Sequence, residues 1–140
     1  MHQIFYVTLD PEKALGIEDL LPSYHILYSE PSQLALPISN NGIDIKNFPK
    51  SRDLKFNSTS KMLEDASLIN HIKQNSMKET PDILVFKNDE TISGNADKQG
   101  FKLINSDFKL NIKLENKIEF AKFVDTLDFF KQPEYEIFEK

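Results

Sequence analysis

Three histidines, His2, His25 and His71, are the side chains best suited to proton transfer or metal binding near neutral pH. They lie far apart in the chain and share no metal-ligand spacing. A metal site needs several convergent ligands, so structural or solvated roles are expected for all three. The chain has no cysteine, which excludes disulfides, thiolate zinc sites and a cysteine nucleophile. No His-Glu-x-x-His, phosphate-loop or Gly-x-Gly-x-x-Gly pattern occurs. The run Asp89-Glu90-Thr91-Ile92-Ser93-Gly94 contains a glycine but reads as a turn and helix entry.

Ser58-Thr59-Ser60 precedes a helical stretch. Hydroxyls there can bind an anion at a helix N-terminus, or simply cap the helix. Capping requires no ligand and is the expectation. Near the C-terminus Glu115, Glu119, Asp125 and Asp128 alternate with Lys117, Lys122 and Lys131. The pairs Glu119/Lys122 and Asp128/Lys131 have the spacing of weak ion pairs on a solvated helix face. Phe120, Phe123, Leu127 and Phe130 recur at helical spacing and read as a core stripe.

The elements that must position these groups follow from the hydropathy pattern. Residues 3–9 are mostly apolar rather than alternating, as expected of a strand covered on both faces. Asp10-Pro11-Glu12 is a helix start, with Asp as N-cap and Pro in the first turn; this helix is expected to run to Leu20 or Leu21. A second strand follows at 24–29. Residues 30–57 are weakly patterned, with a possible short strand at 34–38 and a turn at Asn40-Asn41-Gly42. So long a loop implies either a functional segment or a hidden element. Helix is expected over 61–75, strand over 82–87, helix over 90–98 ending at Gly100, and strand over 101–105. Ser106-Asp107 is positioned to cap a brief turn. A last helix is expected over 114–130, and a strand beginning at 135–138. Strands separated by crossovers imply an α/β domain with a mostly parallel sheet and helices on both faces. Ligands on such sheets sit at the carboxyl ends of the strands, here the loops after Leu9, Ser29, Lys87 and Asn105.

Bulk composition agrees. The 140 residues are 39% hydrophobic and 28% charged, the balance of one globular domain. Lys and Arg number 17 against 22 Asp and Glu, a net charge of −5, which argues against nucleic-acid binding. No apolar run approaches membrane-spanning length, and Met1-His2-Gln3-Ile4-Phe5 is not a secretory signal. A cytoplasmic location is expected.

One ensemble of motifs carries a resemblance. The strand at 81–87, then Gly100-Phe101-Lys102-Leu103-Ile104-Asn105, then Asn116-Lys117-Ile118-Glu119-Phe120 resemble the N-terminal domain of ATP-grasp ligases of the biotin-carboxylase-like type. In that family a buried strand is followed by a helix, by a Gly-aromatic-x-aliphatic-aliphatic-Asn strand, and by a helix opening on Asn/Asp-Lys-x-x-Phe. Asn57-Ser58-Thr59-Ser60 is similar to another helix start in these relatives. Lys131-Gln132-Pro133-Glu134-Tyr135 resembles the entry to the ATP-binding lobes, but lacks its glycine and one of its prolines. The likeness spans residues 57–138.

The resemblance implies a Rossmann-like three-layer domain over residues 1–130, with 131–140 beginning the linker or strand into an ATP-grasp domain. It implies ATP and Mg²⁺ as cofactors of the full-length enzyme, and a carboxylate substrate activated as an acyl phosphate. It implies that Lys117 reaches the nucleotide phosphates; the alternative is a surface partner of Glu115 or Glu119. The 140 residues alone are expected to be inactive and to bind ATP weakly or not at all. A second expectation is a stand-alone α/β binding or interaction module. A dinucleotide-dependent oxidoreductase is disfavoured, because the first strand turns through Asp10-Pro11 without a glycine-rich loop. Phe129, Phe130, Tyr135 and Phe138 crowd the terminus, which makes a homodimer through this end an expectation.

Overall fold

The computed structural model describes residues 3–17, 20–21, 23–30, 32–33, 37, 44–48, 56–127 and 136. The chain divides into two compact units, Met1–Asn105 and Ser106–Lys140. Sequence grouped residues 1–130 together; of the linker expected over 131–140 only residue 136 is described.

The first unit is built on β1 (Gln3–Thr8), all six of whose residues are buried. Its neighbours are β2 (Ser23–Tyr28), β3 (Asp44–Asn47), β4 (Asp82–Val85) and β5 (Lys102–Leu103). Every pairing is parallel, and the strand order is β3-β2-β1-β4-β5. This is the expected α/β architecture. Strand order grows outward in both directions from β1, which is the pattern of a doubly wound sheet.

Side chains sort onto two faces. Phe5, Val7, Leu27, Ile83 and Val85 pack with Met62, Leu68, Ile72, Ile92, Ala96 and Phe101. Ile4, Tyr6, Tyr24 and Ile26 pack on the opposite face with Ala14. The layers are therefore the helices between β3 and β5, the sheet, and the segment between β1 and β2. Right-handed crossovers require this, because the chain moves one way across the sheet from β1 to β2 and the other way from β4 to β5.

The first crossover begins as expected. Asp10 accepts the Glu12 N–H at 2.9 Å, and Pro11 opens a 3-10 helix, Pro11–Ala14. This helix stops well short of Leu20. Leu15 is extended, and Gly16 sits at φ 104°, a conformation open to glycine and closed to helix. Tyr6 and Tyr24 hydroxyls donate to the Lys13 and Ala14 carbonyls at 3.0 and 2.8 Å, satisfying the end of the turn. Burial of Tyr6 raises its phenol pKa.

Three helices cover the other face: α1 (Thr59–Met62), α2 (Ala66–Asn75) and α3 (Glu90–Gln99). The single helix expected over 61–75 is thus two. Asp65 accepts from the Ser67 and Leu68 N–H groups at 2.9 and 3.1 Å, so it starts a new helix instead of continuing the old one. α3 matches its expected span. Asp89 caps its start, and Gly100 ends it at φ 74°. Buried Asn95 donates to the Ser60 carbonyl (3.0 Å) and to Glu64 Oε1 (3.1 Å), tying α3 to α1. The bond from Lys61, and then that from Asn95, hold the Glu64 carboxyl below its usual range.

The strand expected over 101–105 is shorter. After Leu103, Ile104 N–H still donates to Ile83 O at 2.9 Å. Beyond it the Asn105 side chain takes over, accepting from Val85 N–H at 2.9 Å and donating to Val85 O at 2.7 Å. The β3 strand lies in the weakly patterned stretch and was not expected there. Of the strands expected at 34–38 and 135–138, only residues 37 and 136 are among the described residues.

In the second unit α4 (Phe108–Glu115) and α5 (Lys117–Asp125) replace the single helix expected over 114–130. Asn116 accounts for the split. Its N–H closes α4 on Ile112 O at 3.1 Å, while its side chain accepts from Ile118 and Glu119 N–H at 3.0 and 3.2 Å. Asp107 caps α4, which is a full helix where only a brief turn was expected. Among the described residues no helix is long and apolar enough to cross a membrane.

Ile83 is fully buried in the larger core, whereas Ile112 is 61% exposed. Ile83→Ala should cost about 2–5 kcal/mol in urea unfolding, and Ile112→Ala no more than about 0.5 kcal/mol. Asp65→Ala should cost about 0.5–2 kcal/mol and loosen the start of α2, read by hydrogen exchange of the Ser67 and Leu68 amides.

Candidate functional site

All strands point the same way, so their carboxyl ends form one rim. The chain leaves the sheet there after Leu9, Ser29 and Lys87, three of the expected loops, and the fourth, after Asn105, begins the second unit. Strand order reverses between β1 and β4, the position where doubly wound sheets open a crevice. On the β2 side the rim is closed by backbone: Ser29 and Glu30 N–H groups donate to Leu9 O at 3.2 and 2.8 Å. On the β4 side Phe86 is 64% exposed, and Lys13 Nζ lies 5.3 Å from its ring centroid. Asn88 is buried nearby and accepts from Ser93 Oγ at 3.0 Å. This rim offers an aromatic face, a cation and an amide, with the Asp10 and Asp89 carboxylates engaged as helix caps.

The sequence candidates are placed as follows. Ser58 Oγ accepts from Lys61 N–H at 3.3 Å and contacts Ser60 Oγ at 2.8 Å, the capping role. Asp89 accepts from Ile92 N–H at 2.8 Å, so the 89–94 run is a helix entry. Lys117 is exposed as the first residue of α5, within the second unit, directly after the Asn116 cap. Glu119 pairs with Lys122 at 3.2 Å. Phe120 and Phe123 are 46% and 42% exposed, so the expected core stripe is half open to solvent. Asp128, Phe130 and Lys131 lie outside the described residues, as does His2.

His25 and His71 are brought together, which their separation in sequence did not suggest. His25 on β2 aligns with Phe5 on β1 and Asp44 on β3, and it stacks on Phe5 at 4.8 Å. Its Nδ1 bonds to the Asp44 carboxylate. Gln3, 4% exposed, orients the ring from the other side. Gln3 Oε1 accepts from Met77 N–H at 2.8 Å, which turns its Nε2 toward Asn75 O (2.8 Å) and His25 Nε2 (3.0 Å). A donor at that position makes His25 Nε2 the acceptor, so the neutral ring carries its proton on Nδ1, facing Asp44. Beside it Lys46 Nζ and Asn75 Nδ2 donate to His71 Nδ1 at 3.2 and 3.1 Å.

Gln3, His25 and Asp44 lie toward the amino ends of their strands, whereas Lys46, level with Leu27, carries the cluster along β3 to His71. It joins β1, β2, β3 and α2 through hydrogen bonds. Among the described residues no group of three or more His, Asp or Glu side chains is arranged to hold a metal. Nothing in Gln3 itself marked it as the hub. The Asp44-Ile45-Lys46 alternation was the one signal of an edge strand presenting two charges on one face.

Gln3→Leu should leave Met77 N–H and Asn75 O without their partner and cost about 1–3 kcal/mol per buried group. Long-range ¹H–¹⁵N spectra of the neutral His25 ring should show Nδ1–H in the parent protein and a mixture of tautomers in the variant. No protein-family model, curated protein or solved structure matches the chain, and what it does must be inferred from its own residues.

Proposed function

We propose that this chain is the N-terminal, Rossmann-like substrate-side domain of an ATP-dependent carboxylate–amine ligase of the ATP-grasp type, not catalytically competent alone. The observation that carries this reading is the Asn116-Lys117 helix start. Asn116 caps a nine-residue helix, and Lys117 is its exposed first residue, which is how the motif would present an ammonium to phosphate. A lysine at this position adds a point charge to the positive end of the helix dipole. The parallel sheet and its carboxyl-end rim are the matching scaffold for a carboxylate substrate.

The described residues do not fit Mg²⁺, because no acidic cluster among them is arranged to bind it. Phosphoryl transfer depends on metal and cationic clamps, and these would come from other polypeptide. What this chain contributes is binding and orientation: one ammonium at a helix start and a rim for the acid to be activated.

The gene beyond codon 140 tests this directly. Translation into a further domain carrying acidic metal ligands supports the ligase, and a stop codon there overturns it. In such a full-length enzyme Lys117→Ala should raise the KM for ATP about tenfold or more, the loss of one charged hydrogen bond. Calorimetry on the 140-residue chain should show no tight, Mg²⁺-dependent ATP binding.

A second reading, a stand-alone α/β interaction module, is favoured by the large apolar side chains that α4 and α5 expose: Leu110, Ile112, Phe120 and Phe123. It predicts self-association, and a monomeric mass in light scattering at high concentration would count against it.

A further inference from the structure

We propose that the contact between α2 and the edge strand β3 is a proton-released latch, in which His71 holds Lys46 while its ring is neutral and lets β3 go when the ring is protonated. The proposal is independent of the ligase assignment.

The geometry defines one acceptor and two donors. Lys46 Nζ on β3 and Asn75 Nδ2 on α2 both point at His71 Nδ1, at 3.2 and 3.1 Å. Nδ1 therefore accepts, and the single ring proton sits on Nε2. That Nε2 is buried and, among the described residues, has no hydrogen-bond partner. The ring packs against Phe48, just past the end of β3, with centroids 5.3 Å apart and planes tilted by 58°. A second proton would convert Nδ1 into a donor aimed at two donors. It would also place an imidazolium beside an ammonium, with no acceptor among the described residues at the buried Nε2.

Among the described residues, the charged and titratable groups facing His71 are Lys46 and Asp44 from β3 and His25 from β2. Burial of the ring lowers its pKa below 6.5; Lys46 and His25 push the same way, and Asp44 opposes them. A histidine with a lowered folded-state pKa binds its proton more readily once the contact opens. The latch is therefore fully closed above about pH 6.5 and weakens as pH falls through the lowered value.

The segment at stake is small. The four residues of β3 pair only with β2 among the described residues, ending where Phe48 N–H donates to Tyr28 O at 2.6 Å. Releasing Lys46 removes a tie from this edge to the helix above it, while the strands at the centre of the sheet keep partners on both sides.

Hydrogen exchange of the Ile45, Lys46, Asn47 and Phe48 amides, corrected for intrinsic rates, tests this between pH 7.5 and 5. Protection should fall several-fold in the parent protein. It should stay flat in His71→Gln, whose amide oxygen still accepts from Lys46 but does not titrate in this range. Flat protection in the parent, or the same fall in His71→Gln, overturns the proposal. Lys46→Met is the second variant, should His71→Gln fail to fold. By NMR the His71 midpoint should lie below 6.5 in the parent and move up in Lys46→Met; a parent midpoint at or above 6.5, or no movement, also overturns it.

Discussion

Everything in the first unit depends on β1 being buried on both faces and paired on both edges. Its backbone is matched to β2 over six residues and to β4 over four. Phe5 and Val7 anchor one core and Ile4 and Tyr6 the other. A strand so enclosed has no water to satisfy its peptide groups, so both of its edges must be paired. Here both neighbours are parallel to it, which puts the carboxyl ends of the strands on one side of the sheet.

Polar chemistry is then divided between the two ends of the strands. At the amino end it is consumed internally. Gln3 is buried at the first position of β1 and bonds to one ring and two peptide groups of α2 and the turn after it. At the carboxyl end less is spoken for: Phe86 and Lys13 remain at the surface near the point of strand reversal. The sheet thus ties up polar groups at one end and leaves an aromatic and a cation at the surface of the other.

The parts legible in the sequence were those dictated locally. The apolar run of β1, the Asp10-Pro11 entry, the Ser58 and Asp89 caps and the Gly100 stop each act within a few residues, and each was readable. The helix breaks at Asp65 and Asn116 were also local, but apolar periodicity runs on through both, and a cap competing with an uninterrupted stripe is easily overlooked. β3 escaped notice because only Ile45 of its four residues is apolar and partly buried. The histidine cluster was not legible at all. Gln3 and Asn75 lie 72 positions apart, and only the parallel register brings them to the same place. A pattern read along the chain does not contain that register.

Asn105 has an effect on how this protein behaves among its own copies. Parallel sheets invite strand addition wherever an outer strand leaves peptide groups unpaired. Past Ile104, the chain departs from the sheet, yet the next exposed peptide, that of Val85, is filled by the carboxamide of Asn105 on both its donor and its acceptor. A side chain thus impersonates one more residue of strand and then offers nothing to extend. The carboxamide occupies the Val85 groups that a longer β5 would have paired, so a strand of another copy finds no free peptide there.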